Sequence, residues 1–65
     1  MKYIVQKGDT LWAISRRYLG KGAKWRKLYH INRDIIGSDP DLILPGQVLE
    51  IPIKSPFWSQ QKHSL

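Results

Sequence analysis

The chain has 65 residues, with 11 lysines and arginines against 5 acidic residues, a net charge of +6, and no cysteine. That length allows one small domain, and the missing cysteine excludes disulfides, thiolate metal sites and cysteine nucleophiles. A composition of 42% hydrophobic and 25% charged residues belongs to a globular chain, with no apolar run near the roughly 20 residues of a membrane span. The opening residues, MKYIVQKGD, lack the apolar core of a signal peptide. Export would therefore depend on a parent polypeptide or another route.

Residues 2–6 alternate, with Tyr3 and Val5 on one side and Lys2, Ile4 and Gln6 on the other, which predicts a short strand. Gly8-Asp9 breaks it. Thr10 then stands where a helix N-cap belongs, its hydroxyl able to accept from an orphan backbone N–H. Leu11, Ile14, Ser15 and Tyr18 follow at helical spacing, with Arg16 and Arg17 outward and Gly20 as the stop.

A basic connector, Gly20-Lys21-Gly22, leads to Trp25, Leu28, Tyr29 and Asn32, whose i, i+3, i+4, i+7 spacing predicts a second helix of about ten residues. Ile35, Ile36 and Gly37 close it. Ser38-Asp39-Pro40-Asp41 is turn chemistry, and Pro45-Gly46 suits the centre of a type II turn. Residues 48–53 form a second strand with Leu49, Ile51 and Ile53 on one face, Pro52 marking its edge or end. Residues 54–65 lose all periodicity and are expected to be a dispensable mobile tail, leaving residues 1–53 as the domain. The apolar faces of the four elements need one interior. Tyr3, Val5, Leu11, Ile14, Leu28, Ile31, Leu49 and Ile51 are expected to fill it.

The order is β-α-α-β, and the pattern leaves the strand pairing open. At this point the residues resemble a family. Tyr3-x-Val5-x-x-Gly8-Asp9-Thr10-Leu11-Trp12-x-Ile14, then Asn32, then Asp41-Leu42-Ile43-x-Pro45-Gly46-Gln47-x-Leu49-x-Ile51-Pro52 is similar to the LysM (lysin motif) module. The resemblance implies an α+β fold, a two-stranded antiparallel sheet with two helices packed on one face. It also implies binding of glycans that contain N-acetylglucosamine, namely peptidoglycan or chitin, in a shallow groove between two loops. Carried over by position, that groove would use Gly8, Asp9, Thr10 and Leu11 from one loop and Asp41, Leu42 and Ile43 from the other. Trp12 stands beside it. An N-acetyl group offers a donor, an acceptor and a methyl, which suits loop backbone beside small apolar side chains, and Gly8 allows close approach to the main chain.

Two features depart from the family's usual pattern. Leu44 stands where a tyrosine often precedes Pro-Gly, and the segment from Tyr18 to Trp25 is longer than the compact linker of wall-binding modules. The long form is similar to LysM modules of phage-tail proteins and of small bacterial proteins.

Several residues carry more than one reading. Thr10 can cap the helix and also touch a sugar. Asp9 can bond a sugar hydroxyl or favour the helix N-terminus through its dipole. Asn32 reads as a helix-end side chain satisfying backbone groups, and Trp25 and Tyr29 read as packing residues. His30 and His63 have no metal-ligand pattern, and no cofactor is expected. Asp39 and Asp41 invite reading as a glycosidase pair, but a chain this small has little depth in which to raise a carboxyl pKa. Catalysis is rejected. What remains is a non-catalytic carbohydrate-binding module that anchors a larger protein or particle to the cell wall. The rival is a structural module of a phage tail or related injection machine; a phage-tail partner protein belongs to that reading and a cell-wall hydrolase partner to the first. A nucleic-acid partner would rest on charge alone, without a motif or a stacking series.

Overall fold

The computed structural model describes residues 1–53; the expected tail, 54–65, lies outside the described residues. The elements in chain order are β1 (Lys2–Ile4), α1 (Leu11–Leu19), a 3-10 turn (Gly22–Lys24), α2 (Trp25–Ile31), α3 (Arg33–Ile36) and β2 (Val48–Glu50). The strands pair antiparallel, Lys2 opposite Glu50, Tyr3 opposite Leu49 and Ile4 opposite Val48. Backbone bonds continue the pairing past β1, from Val5 N–H to the Gln47 carbonyl (2.8 Å) and from Gly46 N–H to the Val5 carbonyl (2.9 Å).

The helices cover one face of this sheet. Val5, Leu49 and Ile51 are buried against Leu11, Ile14 and Leu28, whereas the cross-strand partners Ile4 and Val48 stay exposed on the other face. The α+β arrangement with helices on one face is therefore the observed fold. Its local punctuation is chemical. The Thr10 hydroxyl accepts from Ala13 N–H at 3.1 Å, and Gly20 ends α1 in the left-handed region at φ 80°. Gly46 takes φ 93°, and Gln47 N–H reaches back to the Leu44 carbonyl at 3.1 Å, closing the Pro-Gly turn that leads into β2.

Four expectations are corrected. The second helix is two, because the chain bends at Asn32 (φ −108°, ψ 17°) between α2 and α3. The inward stripe there is Leu28, Asn32 and Ile36, all buried, at i, i+4, i+8. Ile31 and Ile35 lie one position off that stripe, so Ile31 is 42% exposed and Ile36 takes the core place expected of it. Tyr3 is only half-buried; it packs against the core and against Tyr18, ring centroids 5.4 Å apart. The strands are also shorter than their alternation suggests. Pro52 offers no N–H, and Ile53 N–H turns back to the Ile51 carbonyl at 2.8 Å, so Ile53 leaves the sheet face and is exposed.

Leu28 has no exposed surface and stands where α2 meets the sheet. Leu28→Ala is expected to cost about 2–5 kcal/mol in urea unfolding, comparable to the whole stability of so small a domain. An unchanged midpoint would show that the core is held elsewhere.

Candidate functional site

The residues before α1 and before β2 meet α2 around a groove of about 370 Å³. Thr10, Leu11 and Trp12 line it from the start of α1, Trp25 from the start of α2, and Pro40, Asp41 and Ile43 from the loop before β2. The lining is mostly apolar. Leu11 is buried and Ile43 half-buried, while the Thr10 hydroxyl and Asp41 carboxylate supply the exposed polar groups. Thr10 keeps a proton to donate, because its cap bond uses the oxygen as acceptor.

Trp12 owes its place to Gly22. This glycine is buried, and a Cβ built on it would overlap Cε2, Cδ2 and Cζ2 of the Trp12 ring. The indole therefore lies on the bare backbone of the 3-10 turn. Ser15 fixes that turn, since its buried hydroxyl donates to the Lys21 carbonyl at 2.8 Å. The long segment from Tyr18 to Trp25 is thus a built wall that supports one tryptophan and delivers the other.

The opposite side is tied down by short polar bonds. Asp41 N–H donates to the Asp39 carboxylate (2.9 Å), and the Gln47 side chain accepts from Leu44 N–H (2.8 Å) while donating to the Ile35 carbonyl (3.2 Å). The Tyr29 hydroxyl donates to the Gly37 carbonyl at 2.6 Å.

Of the residues expected in the site, Thr10, Leu11, Trp12, Asp41 and Ile43 share this groove, and Gly8, Asp9 and Leu42 stand outside its lining. The Asp9 carboxylate accepts from the Tyr3 hydroxyl and from Gln6 N–H (2.8 Å), which fastens the turn after β1. That bond raises the Tyr3 pKa above its ordinary 10.0, with partial burial adding to it. The neutral hydroxyl is the favoured form in the fold, so its contribution is full below pH 10 and is lost as pH rises through the raised value. Leu42 is 57% exposed. Trp25 and Pro40 join the groove without having been singled out for it. The helical spacing of Trp25 pointed only to packing, and Pro40 looked like turn chemistry alone. The Leu44 side chain, 52% exposed, lies outside the lining. Among the described residues no helix is long and apolar enough to cross a membrane, and no cluster of three His, Asp or Glu is placed to hold a metal.

The sequence model of the LysM domain matches residues 3–52, so the chain belongs to the LysM family, a class of binding module for glycans that contain N-acetylglucosamine. It is 44% identical over 59 residues to the spore coat assembly protein ExsA of Bacillus cereus, a match covering 91% of this chain and 8% of that protein. It is 46% identical over 50 residues to the potassium binding protein Kbp of Escherichia coli O6:H1, covering 77% of this chain and 33% of Kbp. A match to the uncharacterized protein YqbP of Bacillus subtilis is 38% identical and covers 26% of YqbP. The chain thus spans a third or less of the length of these relatives. No solved structure matches it significantly.

Gly22→Ala is expected to push the Trp12 ring off the connector at a cost of about 1–3 kcal/mol. Indole N–H NMR signals check this: the Trp12 signal should move to a solvent-exposed position while Trp25 shifts little. An unmoved Trp12 signal would mean that Gly22 does not seat the ring.

Proposed function

We propose that the groove binds a glycan containing N-acetylglucosamine, without catalysis, and that the module holds a larger protein or particle on peptidoglycan or chitin. The observation that carries this reading is the lining itself. Apolar Leu11, Trp12, Trp25 and Ile43 lie beside one hydroxyl and one carboxylate. A pyranose ring with an acetyl methyl has apolar C–H surface and a few polar groups, the combination such a lining accommodates. Asp39 and Asp41 are both exposed, which supports reading them as turn and binding groups rather than an acid–base pair. At about 370 Å³ the groove is near the lower end of ligand sites. A short oligosaccharide should bind weakly, with firm attachment coming from repeated contacts along a polymer.

A role in assembling a particle, such as a phage tail, is the second reading. It is favoured by the exposed apolar side chains of Ile35 on α3 and of Leu42 and Leu44 on the loop before β2. The likeness to a spore coat assembly protein also supports it.

Titration with the neutral tetramer of N-acetylglucosamine, at millimolar concentration, separates the two. The expected result is movement of backbone amide signals over residues 8–12 and 41–44 and of the Trp25 indole, with the outer sheet face at Ile4 and Val48 unchanged. Ile43→Asp should weaken binding by about tenfold or more by setting a charge against the acetyl methyl. Absence of shifts, or shifts that miss both loop stretches, would overturn the glycan reading in favour of the assembly role.

A further inference from the structure

The net charge of the chain is not spread over it. Residues 16–27 hold Arg16, Arg17, Lys21, Lys24, Arg26 and Lys27 and no acidic residue, while the other five cations of the chain are matched by its five acids. The whole +6 is therefore the charge of this one segment. It forms the second half of α1, the 3-10 turn and the first turn of α2, three elements that pack on one another. All six side chains are exposed, and none lines the groove. Among the described residues none of the six is paired with a carboxylate; the ion pair there joins the Met1 amino group to Glu50, on the sheet. Three of the six are held by aromatic rings. The Arg16 guanidinium lies 5.6 Å from the Trp12 ring centroid, Arg17 lies 5.4 Å from Tyr18, and Arg26 lies 5.0 Å from Trp25. A ring face attracts a cation but carries no counter-charge. Each guanidinium is thus positioned on the surface with its charge unneutralised.

We propose that this helical face is a second binding surface, apart from the groove, for a linear phosphodiester polymer built on short polyols. The inference goes beyond the glycan reading and does not depend on it. The occupant follows from the surface. A single anion would be held weakly, since exposed ion pairs contribute little one at a time, so the ligand must repeat its charge. Six cations within residues 16–27 match a dense polyanion. A polyol phosphate carries one permanent charge on each small unit, whereas an acidic polysaccharide spaces its carboxylates by whole pyranose rings. The arginine fork also fits phosphate oxygens in pairs. A nucleic acid has comparable charge density but brings a base with every phosphate, and such ligands are held by stacking on free rings. This face offers none: Tyr18 and Trp25 are half-buried, Trp12 rests on Gly22, and all three carry an arginine.

The test titrates the full chain with a synthetic glycerol phosphate oligomer at about 0.05 M salt, reading affinity by calorimetry and location by NMR. Amide signals over residues 16–27 should move, and binding should vanish as salt rises to about 0.5 M. R16Q/R26Q should weaken binding roughly three- to tenfold. K21Q/K24Q, which touches no ring, should do the same. K2Q/K7Q removes the same charge outside the segment and should change affinity less than about twofold. Equal weakening by K2Q/K7Q overturns the proposal, because net charge alone would then explain the attraction. So do shifts confined to residues 8–12 and 41–44, which would put the polymer in the groove. An oligothymidylate of equal phosphate number that binds as tightly overturns the choice of occupant in favour of a nucleic acid. An equally tight oligogalacturonate overturns it in favour of an acidic polysaccharide. The neutral N-acetylglucosamine tetramer, titrated separately, reports on the groove: its failure to bind sinks the glycan reading and leaves this surface standing.

Discussion

The fold depends on one buried amide. Asn32 is 2% exposed at the bend between α2 and α3. Its Nδ2 group donates to the Leu28 carbonyl and to the Glu50 carbonyl, each at 2.9 Å, and its Oδ1 accepts from Glu50 N–H at 2.7 Å. The two bonds to Glu50 satisfy both backbone groups of a β2 residue from the helical layer. An aliphatic side chain of similar size could fill the space, but it would leave those backbone groups without these partners, and unmade bonds of that kind are costly. The same amide satisfies a carbonyl near the end of α2. A single side chain thus joins the helix end, the bend and the sheet.

The groove follows from that joint. With Asn32 turned inward, Leu28 and Ile36 share its stripe and α2 is fixed in rotation, which brings half-buried Trp25, at its first turn, into the lining of the groove. The other side is set by the connector, where the Ser15 hydroxyl holds the Lys21 carbonyl and Gly22 receives the Trp12 ring. Among the described residues every buried side-chain N or O atom has a partner. In a domain with little apolar surface to bury, such bonds do the work that a larger core would do elsewhere.

What could be read from the sequence was whatever depends on near neighbours. The Thr10 cap, the Gly20 stop and the Pro45-Gly46 turn each rest on three or four consecutive residues, and all are present. The LysM resemblance came from a longer pattern; it implied the antiparallel pairing that the alternation alone left open, and it pointed to the loops that border the groove. Choices that depend on helix rotation were not legible. Ile31 and Ile36 are equally apolar, and only the inward turn of Asn32 buries the second and exposes the first. Trp25 could not be placed in the groove because the path of the connector that leads to it is set by a contact between Trp12 and Gly22, ten residues apart. Asp9 was placed by position in the family, yet its carboxylate is turned onto Tyr3 and Gln6 by hydrogen bonds that no spacing rule records.

Urea unfolding of Asn32→Ala tests the central role of this amide most directly. Losing the amide leaves the Glu50 N–H and carbonyl without these partners, at about 1–3 kcal/mol for each group left unmade in a buried setting, while the Leu28 carbonyl keeps the backbone N–H of residue 32. The account predicts a loss of roughly 2–6 kcal/mol in total, comparable to the whole stability available to a domain of this size, together with the disappearance of the Trp12 and Trp25 native indole signals. A variant that unfolds within about 0.5 kcal/mol of the parent, the range of an ordinary surface substitution, would contradict it.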